Sequence, residues 1–150
     1  MITLIEVDHF KIDTANCRSQ HVNFACGGLV VFEGLVRNNH EGRQVKGLSY
    51  EAYIPMTKKI FEQIIEEARA EFGIKDVVIL HRLGDLDLGD CAVWISVGAE
   101  HRKEAFLACE YIIDELKRRA PIWKKEHYLS GDSEWVACHC HEEPKAKIHG

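Results

Sequence analysis

Lys117-Arg118-Arg119-Ala120-Pro121-Ile122-Trp123-Lys124-Lys125-Glu126 places five cations within nine residues of a chain that is acidic overall. Cations gathered in a partly dry site hold phosphate or carboxylate and stabilise negative charge that develops as a bond breaks. Pro121 decides how these cations are presented. It has no amide N–H, its ring clashes with a preceding helical turn, and it pushes Ala120 towards extended backbone. A helix carrying Lys117 therefore stops here, and an extended segment carrying Lys124 starts at once. On one helix, two lysines seven apart would share a face. Across the break they converge from two elements, as the wall of an anion pocket requires. The competing account is that cations collect in the last turn of a helix because they favour its negative end.

Two further sets of residues suit the same chemistry. His101-Arg102 opens the second predicted helix, where free N–H groups and the positive dipole end form a natural anion site, and arginine adds a bidentate fork that matches phosphate. A merely solvated basic pair would be electrostatically misplaced there, which points to an anion compensating both. Arg37 ends a strand and leads into the polar loop 38–43, a common location for binding groups. The expectation is that Arg37, His101, Arg102, Lys117 and Lys124 meet in one cationic hollow.

Other candidates read as structure. Cys138-His139-Cys140-His141, with His149 beyond, has zinc-ligand types but lacks the second knuckle of a structural site, so no metal site is assigned. His81-Arg82 lies in a strand and reads as structural. Trp94, Trp123 and Trp135 read as core. No phosphate loop, nucleophile elbow or dinucleotide fingerprint is present.

The elements that must position these groups follow from periodicity. Residues 1–13 form a first strand and 14–27 a loop or short helix. The β-branched and aromatic run from Leu29 to Arg37 reads as a buried strand, followed by the strand Val45–Tyr53. Pro55 suits the first turn of a helix. Apolar residues at 60, 61, 64, 65, 68 and 72 trace its 3.6-residue stripe until Gly73 stops it. Strands 76–83 and 90–99 flank a turn at Gly84-Asp85. A second helix follows with Phe106, Cys109, Ile112, Ile113 and Leu116 on one face, then closing strands at 122–129 and 134–137. This order predicts an α+β fold with two main amphipathic helices on one antiparallel-rich sheet and a ferredoxin-like core. Residues 1–137 form one domain, and 138–150 a polar tail.

Composition narrows the function classes. At 150 residues the chain can bury a full core. Its formal charge of −5 argues against general nucleic-acid affinity. No apolar run approaches the roughly 20 residues that span a bilayer, and the first residues lack the pattern of a signal peptide, so the expected location is the cytoplasm. The six cysteines, without disulfide spacing, read as free thiols in that compartment.

With these residues in view, the sequence resembles the large, catalytic subunit of molybdopterin synthase. The matching pieces are Phe-Glu-Gly-Leu-Val-Arg-Asn (32–38), Gly-Leu-Ser-Tyr-Glu-Ala-Tyr (47–53) and His-Arg-Leu-Gly-Asp-Leu (81–86). They continue with Glu-His-Arg-Lys-Glu-Ala-Phe (100–106), Ile-Asp-Glu-Leu-Lys-Arg-Arg-Ala-Pro-Ile-Trp-Lys-Lys-Glu (113–126) and Gly-Asp-Ser-Glu-Trp-Val (131–136). Six pieces in the family's order make a strong match. The resemblance implies a hammerhead-type elaboration of the core and a sulfurtransferase of molybdenum cofactor biosynthesis that needs no bound cofactor. It converts cyclic pyranopterin monophosphate (precursor Z) into the dithiolene molybdopterin. Sulfur arrives as a thiocarboxylate on the C-terminal Gly-Gly of a small ubiquitin-like partner, within a heterotetramer built on a dimer of large subunits.

By the same resemblance Lys117 is the principal catalyst with Lys124 assisting, while Arg37, His101, Arg102, Lys125 and Glu126 contact substrate. A lysine flanked by cations and partly buried would be shifted towards neutrality as a general acid or base. The sulfur is imported, so no cysteine need be a nucleophile. The chain departs from the family's pattern after Trp135-Val136, where basic residues are usual. Its tail has no arginine, only Lys145 and Lys147. Two readings from other classes remain beside this one: a non-enzymatic module docking an acidic or Gly-Gly tail, and a metal-handling protein using the Cys/His tail.

Overall fold

Strands β5 (Asp76–Arg82) and β7 (Cys91–Ala99) are buried along almost their whole length. Both are runs of apolar residues without polar alternation, the pattern of a strand covered on both faces. The computed structural model, which describes residues 1–19, 21 and 23–138, shows what covers them. On one face Val77, Ile79, Val93, Ile95 and Val97 meet helices α2 (Ile54–Phe72) and α3 (Arg102–Arg119). On the other, Val78, Leu80, Cys91 and Trp94 meet Ile12 and Cys17 from the segment containing the short helix α1 (Thr14–Arg18).

This first sheet runs in the order β1-β5-β7-β2, with β1 (Thr3–Asp8) parallel to β5 and the other pairs antiparallel. A second sheet is ordered β10-β8-β4-β3, comprising β3 (Asn39–His40), β4 (Arg43–Ala52), β8 (Ile122–Tyr128) and β10 (Val136–Ala137). Two short strands join it: β6 (Gly84–Asp87) pairs with β4, and β9 (Gly131–Asp132) pairs with β8.

The α+β class, the antiparallel-rich pairing and the two main helices agree with the sequence. The β-α-β-β-α-β order of a ferredoxin-like core is present as β4-α2-β5-β7-α3-β8. Its strands nevertheless divide between two sheets instead of one. A strand has two edges, and those of β4 are taken by β8 on one side and β6 on the other. Both edges of β5 and of β7 are likewise occupied. The predicted turn at Gly84-Asp85 is the start of β6, with Gly84 at a φ of 92° swinging the chain towards β4.

β2 (Gly28–Leu35) is not the buried strand that its composition suggests. It is the last strand of its sheet, and Val31, Phe32 and Leu35 are exposed. β-propensity describes a half-buried pleated surface and does not separate edge from centre. The tryptophans divide similarly. Trp94 is core, whereas Trp123 and Trp135 lie exposed in or beside the second sheet.

The helix boundaries follow the local chemistry. Pro55 occupies the first turn of α2, and Gly73 closes it in the left-handed region, its N–H donating to the Arg69 carbonyl. α3 continues two residues past Lys117 and ends where Ala120 turns extended (φ −76°, ψ 137°) before Pro121. Among the described residues no helix is long and apolar enough to cross a membrane. Five described cysteines are free.

Two glycines fix where α3 begins. A Cβ on Gly27 would stand 2.5 Å from the Glu100 carbonyl oxygen, and one on Gly28 would stand 2.9 Å from the Arg102 Cα. Backbone cannot yield as a flexible side chain can, so the start of β2 presses on the turn that carries His101 and Arg102. Gly28→Ala is expected to lose about 1–3 kcal/mol in urea unfolding, the scale of overpacking in a tight core. An unchanged midpoint would show that this contact is slack.

Candidate active site

Lys117 sits half-buried on the last turn of α3. The two arginines after it are engaged elsewhere. Arg119 bonds Glu67 of α2 at 2.7 and 3.1 Å and Glu115 at 3.2 Å, and Arg118 bonds Glu115 at 2.9 Å. Arg119, followed by the Tyr111 hydroxyl, holds Glu67 below its ordinary pKa. Arg118 and Arg119 thus follow the bland account of helix-end cations, while the charge of Lys117 reaches His81 at the end of β5.

β8 delivers the other lysine. Pleating sends alternate residues to opposite faces, so Lys124 and Glu126 share one face while Trp123 and Lys125 share the other. In register, Lys124 lies opposite Tyr50 and Glu126 opposite Leu48, both buried core residues of β4. Lys124 Nζ is 3.6 Å from Glu126 Oε1. The same oxygen is 3.6 Å from His40 Nε2, and His40 Nδ1 is 3.4 Å from Arg37 Nη2. The Glu126 backbone N–H donates to Ser133 Oγ at 2.7 Å, fixing the strand. Arg37, His40, Glu126 and Lys124 therefore form a continuous polar chain in which one buried carboxylate faces the Lys124 ammonium and the His40 ring.

Beneath the lysines lies a second, less polar layer. The His81 ring packs edge-on against Tyr50, with centroids 5.1 Å apart at 87°. Burial raises the Tyr50 hydroxyl pKa strongly, with Cys138 and Glu126 adding to the effect. Burial lowers His81 to about 4, and the charge of Lys117 pushes it the same way. Lys117, His81, Tyr50, Glu126 and Lys124 are thus neighbours across α3, β5, β4 and β8.

Not every predicted residue joins them. His101 and Arg102 are exposed at the opposite end of α3, where His101 faces Glu100 at 3.4 Å. Fifteen residues at 1.5 Å each put Arg102 about 22 Å from Lys117 along the helix. One chain therefore does not build the single hollow expected from the sequence. Lys125 points to the other face of β8, its ammonium 5.4 Å from the Trp135 ring centroid. The tail residues His139, Cys140, His141, Lys145, Lys147 and His149 lie outside the described residues.

Sequence reasoning missed His40, Tyr50 and His81. His40 sits in a turn-rich loop where nothing in its spacing singles it out. Tyr50 looks like any apolar position of an alternating strand, and strand burial alone explains His81.

The outer face of the second sheet carries a different polar set. Ser49 Oγ lies 2.7 Å from His127 Nε2, and His127 Nδ1 lies 2.9 Å from Asp132 Oδ1. These are the residue types of a nucleophilic triad, but Ser49 is buried and its hydroxyl proton goes to Asp85. The set ties β6, β4, β8 and β9 together and leaves no accessible nucleophile.

Comparison with known proteins gives a consistent result. A family model described as MoaE protein matches residues 6–119. The molybdopterin synthase catalytic subunit of Nostoc sp. is 42% identical over 137 residues, covering 91% of this chain and 77% of that protein. Its counterpart in Pyrococcus abyssi is 48% identical over 110 residues, covering 73% and 74%. The crystal structure of molybdopterin synthase from Staphylococcus aureus superposes with a TM-score of 0.80 at 40% identity, covering 87% of this chain and 95% of that one.

Burial of His81 also links stability to pH. Its folded pKa of about 4 lies below the ordinary 6.5. As pH falls between these values the unfolded chain takes up a proton that the native state refuses, so this contribution to stability is lost. Chemical unfolding from pH 7 to 4 should show His81→Phe losing less stability than the wild type, by a few kcal/mol at most. Parallel curves would place His81 in contact with water.

Proposed function

Because this chain belongs to the MoaE family of molybdopterin synthase catalytic subunits, we propose that the cluster around Lys117 and Lys124 is the sulfur-transfer site. The chain is a sulfurtransferase of molybdenum cofactor biosynthesis, which sets aside the non-enzymatic docking module. The observation that carries the site assignment is the link from Lys117 through His81, Tyr50 and Glu126 to Lys124, across the Pro121 break and beside the Arg37–His40 contact.

The substrate is precursor Z, and the sulfur donor is the thiocarboxylated Gly-Gly end of a small ubiquitin-like subunit. Arg37 and Lys124 hold the cyclic phosphate. Before substrate arrives Glu126 pairs with Lys124; the incoming phosphate replaces it as the counter-charge of that ammonium. The thiocarboxylate sulfur attacks a side-chain carbon of the pterin and displaces the phosphate oxygen there; water then cleaves the resulting thioester, leaving the sulfur on the pterin and a carboxylate on the partner's terminal glycine. As the phosphate ring opens, negative charge grows on the departing oxygen. Lys117 stabilises that charge and supplies the proton, the electrostatic help that is strongest where water is excluded.

His101 and Arg102 join this site from a second copy of the chain. Their offset of about 22 Å along α3 by helix rise keeps them from Lys117 within one chain, whereas a two-fold axis beside α3 would set the helix start of one copy against the helix end of the other. Lys125, turned towards Trp135, contacts substrate only at the rim. Residues 1–137 act as one domain, and the protein works in the cytoplasm.

Mixing the protein with precursor Z and thiocarboxylated partner should yield the dithiolene product. Lys117→Ala should lower turnover by at least about 100-fold, the range for loss of a positioned acid or base, with Lys124→Ala intermediate. Undiminished turnover in Lys117→Ala would overturn the assignment.

A further inference from the structure

Among the described residues β2 is the last strand of its sheet, so one side of its backbone offers N–H and C=O groups to no other strand. An open edge of this kind is a template for another strand, and soluble proteins commonly blunt it with charge, proline or a covering element. β2 instead exposes Val31, Phe32 and Leu35, and Glu33 is its one charged side chain. The apolar surface continues onto α3. Val30 and Phe32 join Phe106, Leu107, Glu110 and Ile113 around an open groove of about 460 Å³, and Phe106 is 61% exposed. Apolar side chains that adjoin in this way mark an interaction surface, whereas scattered ones do not.

Three features fit this surface to a copy of itself. α3 starts over the start of β2, where a Cβ on Gly28 would meet the Arg102 Cα, and further along it flanks Val30 and Phe32. A two-fold axis at the β2 edge therefore sets both the strands and the helices of two copies antiparallel. Helical spacing places Arg102, Phe106, Glu110, Ile113 and Lys117 on one flank of α3. With Arg102 of one copy opposite Lys117 of the other, Phe106 falls opposite Ile113. The exposed charges along α3 also reverse: Arg102 and Lys103 begin it, while Glu110 and Asp114 lie in its second half. Antiparallel helices bring those opposite signs together, a match that an unrelated partner has no need of.

We propose that a second copy of this chain docks on the β2–α3 face: the two β2 edges pair antiparallel, joining two four-stranded sheets into one, and the two α3 helices lie antiparallel above them and close the apolar grooves. This inference rests on the two-copy reading of the site and names the surface that brings the copies together. Because Arg102 and Lys117 end the same flank, one contact sets Arg102 of each copy towards Lys117 of the other.

Phe32→Lys combined with Phe106→Asp tests it, since both side chains are exposed within one chain and their loss should leave its fold intact. Analytical ultracentrifugation should find the wild type dimeric and the double variant monomeric, with the circular dichroism of the wild type. Turnover with thiocarboxylated partner and precursor Z should fall to the level of Arg102→Ala, while the small partner still binds in calorimetry. A dimer undisturbed by both charges overturns the proposal. So does loss of partner binding from an intact dimer, which would make the groove the small partner's dock. A monomeric double variant with full turnover would leave this surface standing and remove the two-copy site instead. Should the double variant not fold, hydrogen exchange of the wild type decides. The β2 amides that point away from β7 must be protected in the dimer, and their free exchange overturns the proposal.

Discussion

Pro121 is the constraint on which the site depends. A helix that continued past Arg119 would carry Lys124 away on its own axis. The ring of Pro121 forbids that and turns Ala120 extended. The break is also anchored on both sides. The Ala120 N–H still donates to the Leu116 carbonyl at 3.1 Å, and the Pro121 carbonyl accepts from the Tyr53 N–H at 3.2 Å, where β4 hands over to α2. One residue thus ends a helix, begins a central strand of the second sheet and ties both to the start of the other long helix. The two lysines inherit fixed positions because these backbone positions are fixed.

Around that break the charges are arranged so that few cations are left without a role. Arg118 and Arg119 are held by Glu115 and Glu67 and brace α3 against α2. Such pairs near the surface contribute little stability, typically below about 1 kcal/mol each, but they keep these guanidiniums out of the site. Glu126 does the converse, being a carboxylate with little exposure among Lys124, His40 and, through His40, Arg37. A buried charge without a partner is costly. The arrangement therefore holds its cations ready for an anion while satisfying them in its absence.

Much of this was legible before any coordinates. Pro55, Gly73 and Pro121 each mark a helix boundary through a local steric rule, and α2 and α3 end where those residues demand. Lys117 and Lys124 follow from Pro121 alone. What was not legible depends on which strand pairs with which. The split into two sheets, the exposure of β2 and the enclosure of His81 arise from edges being occupied or free, and a single strand's composition is silent on that. The distance between His101-Arg102 and Lys117 is different. It was readable from helix length, since 15 helical residues span about 22 Å, but the shared cationic character of the residues obscured it. Their separation is the reason a two-copy site is proposed in place of a one-chain pocket.

That shared site can be tested by complementation. Lys117→Ala and Arg102→Ala proteins, each inactive or nearly so with thiocarboxylated partner and precursor Z, are unfolded together, refolded as a mixture and assayed. In a mixed dimer one of the two sites receives both intact residues, so product formation should return well above that of either variant alone. If mixed dimers form and activity does not return, or if Arg102→Ala alone is fully active, the two-copy site is wrong.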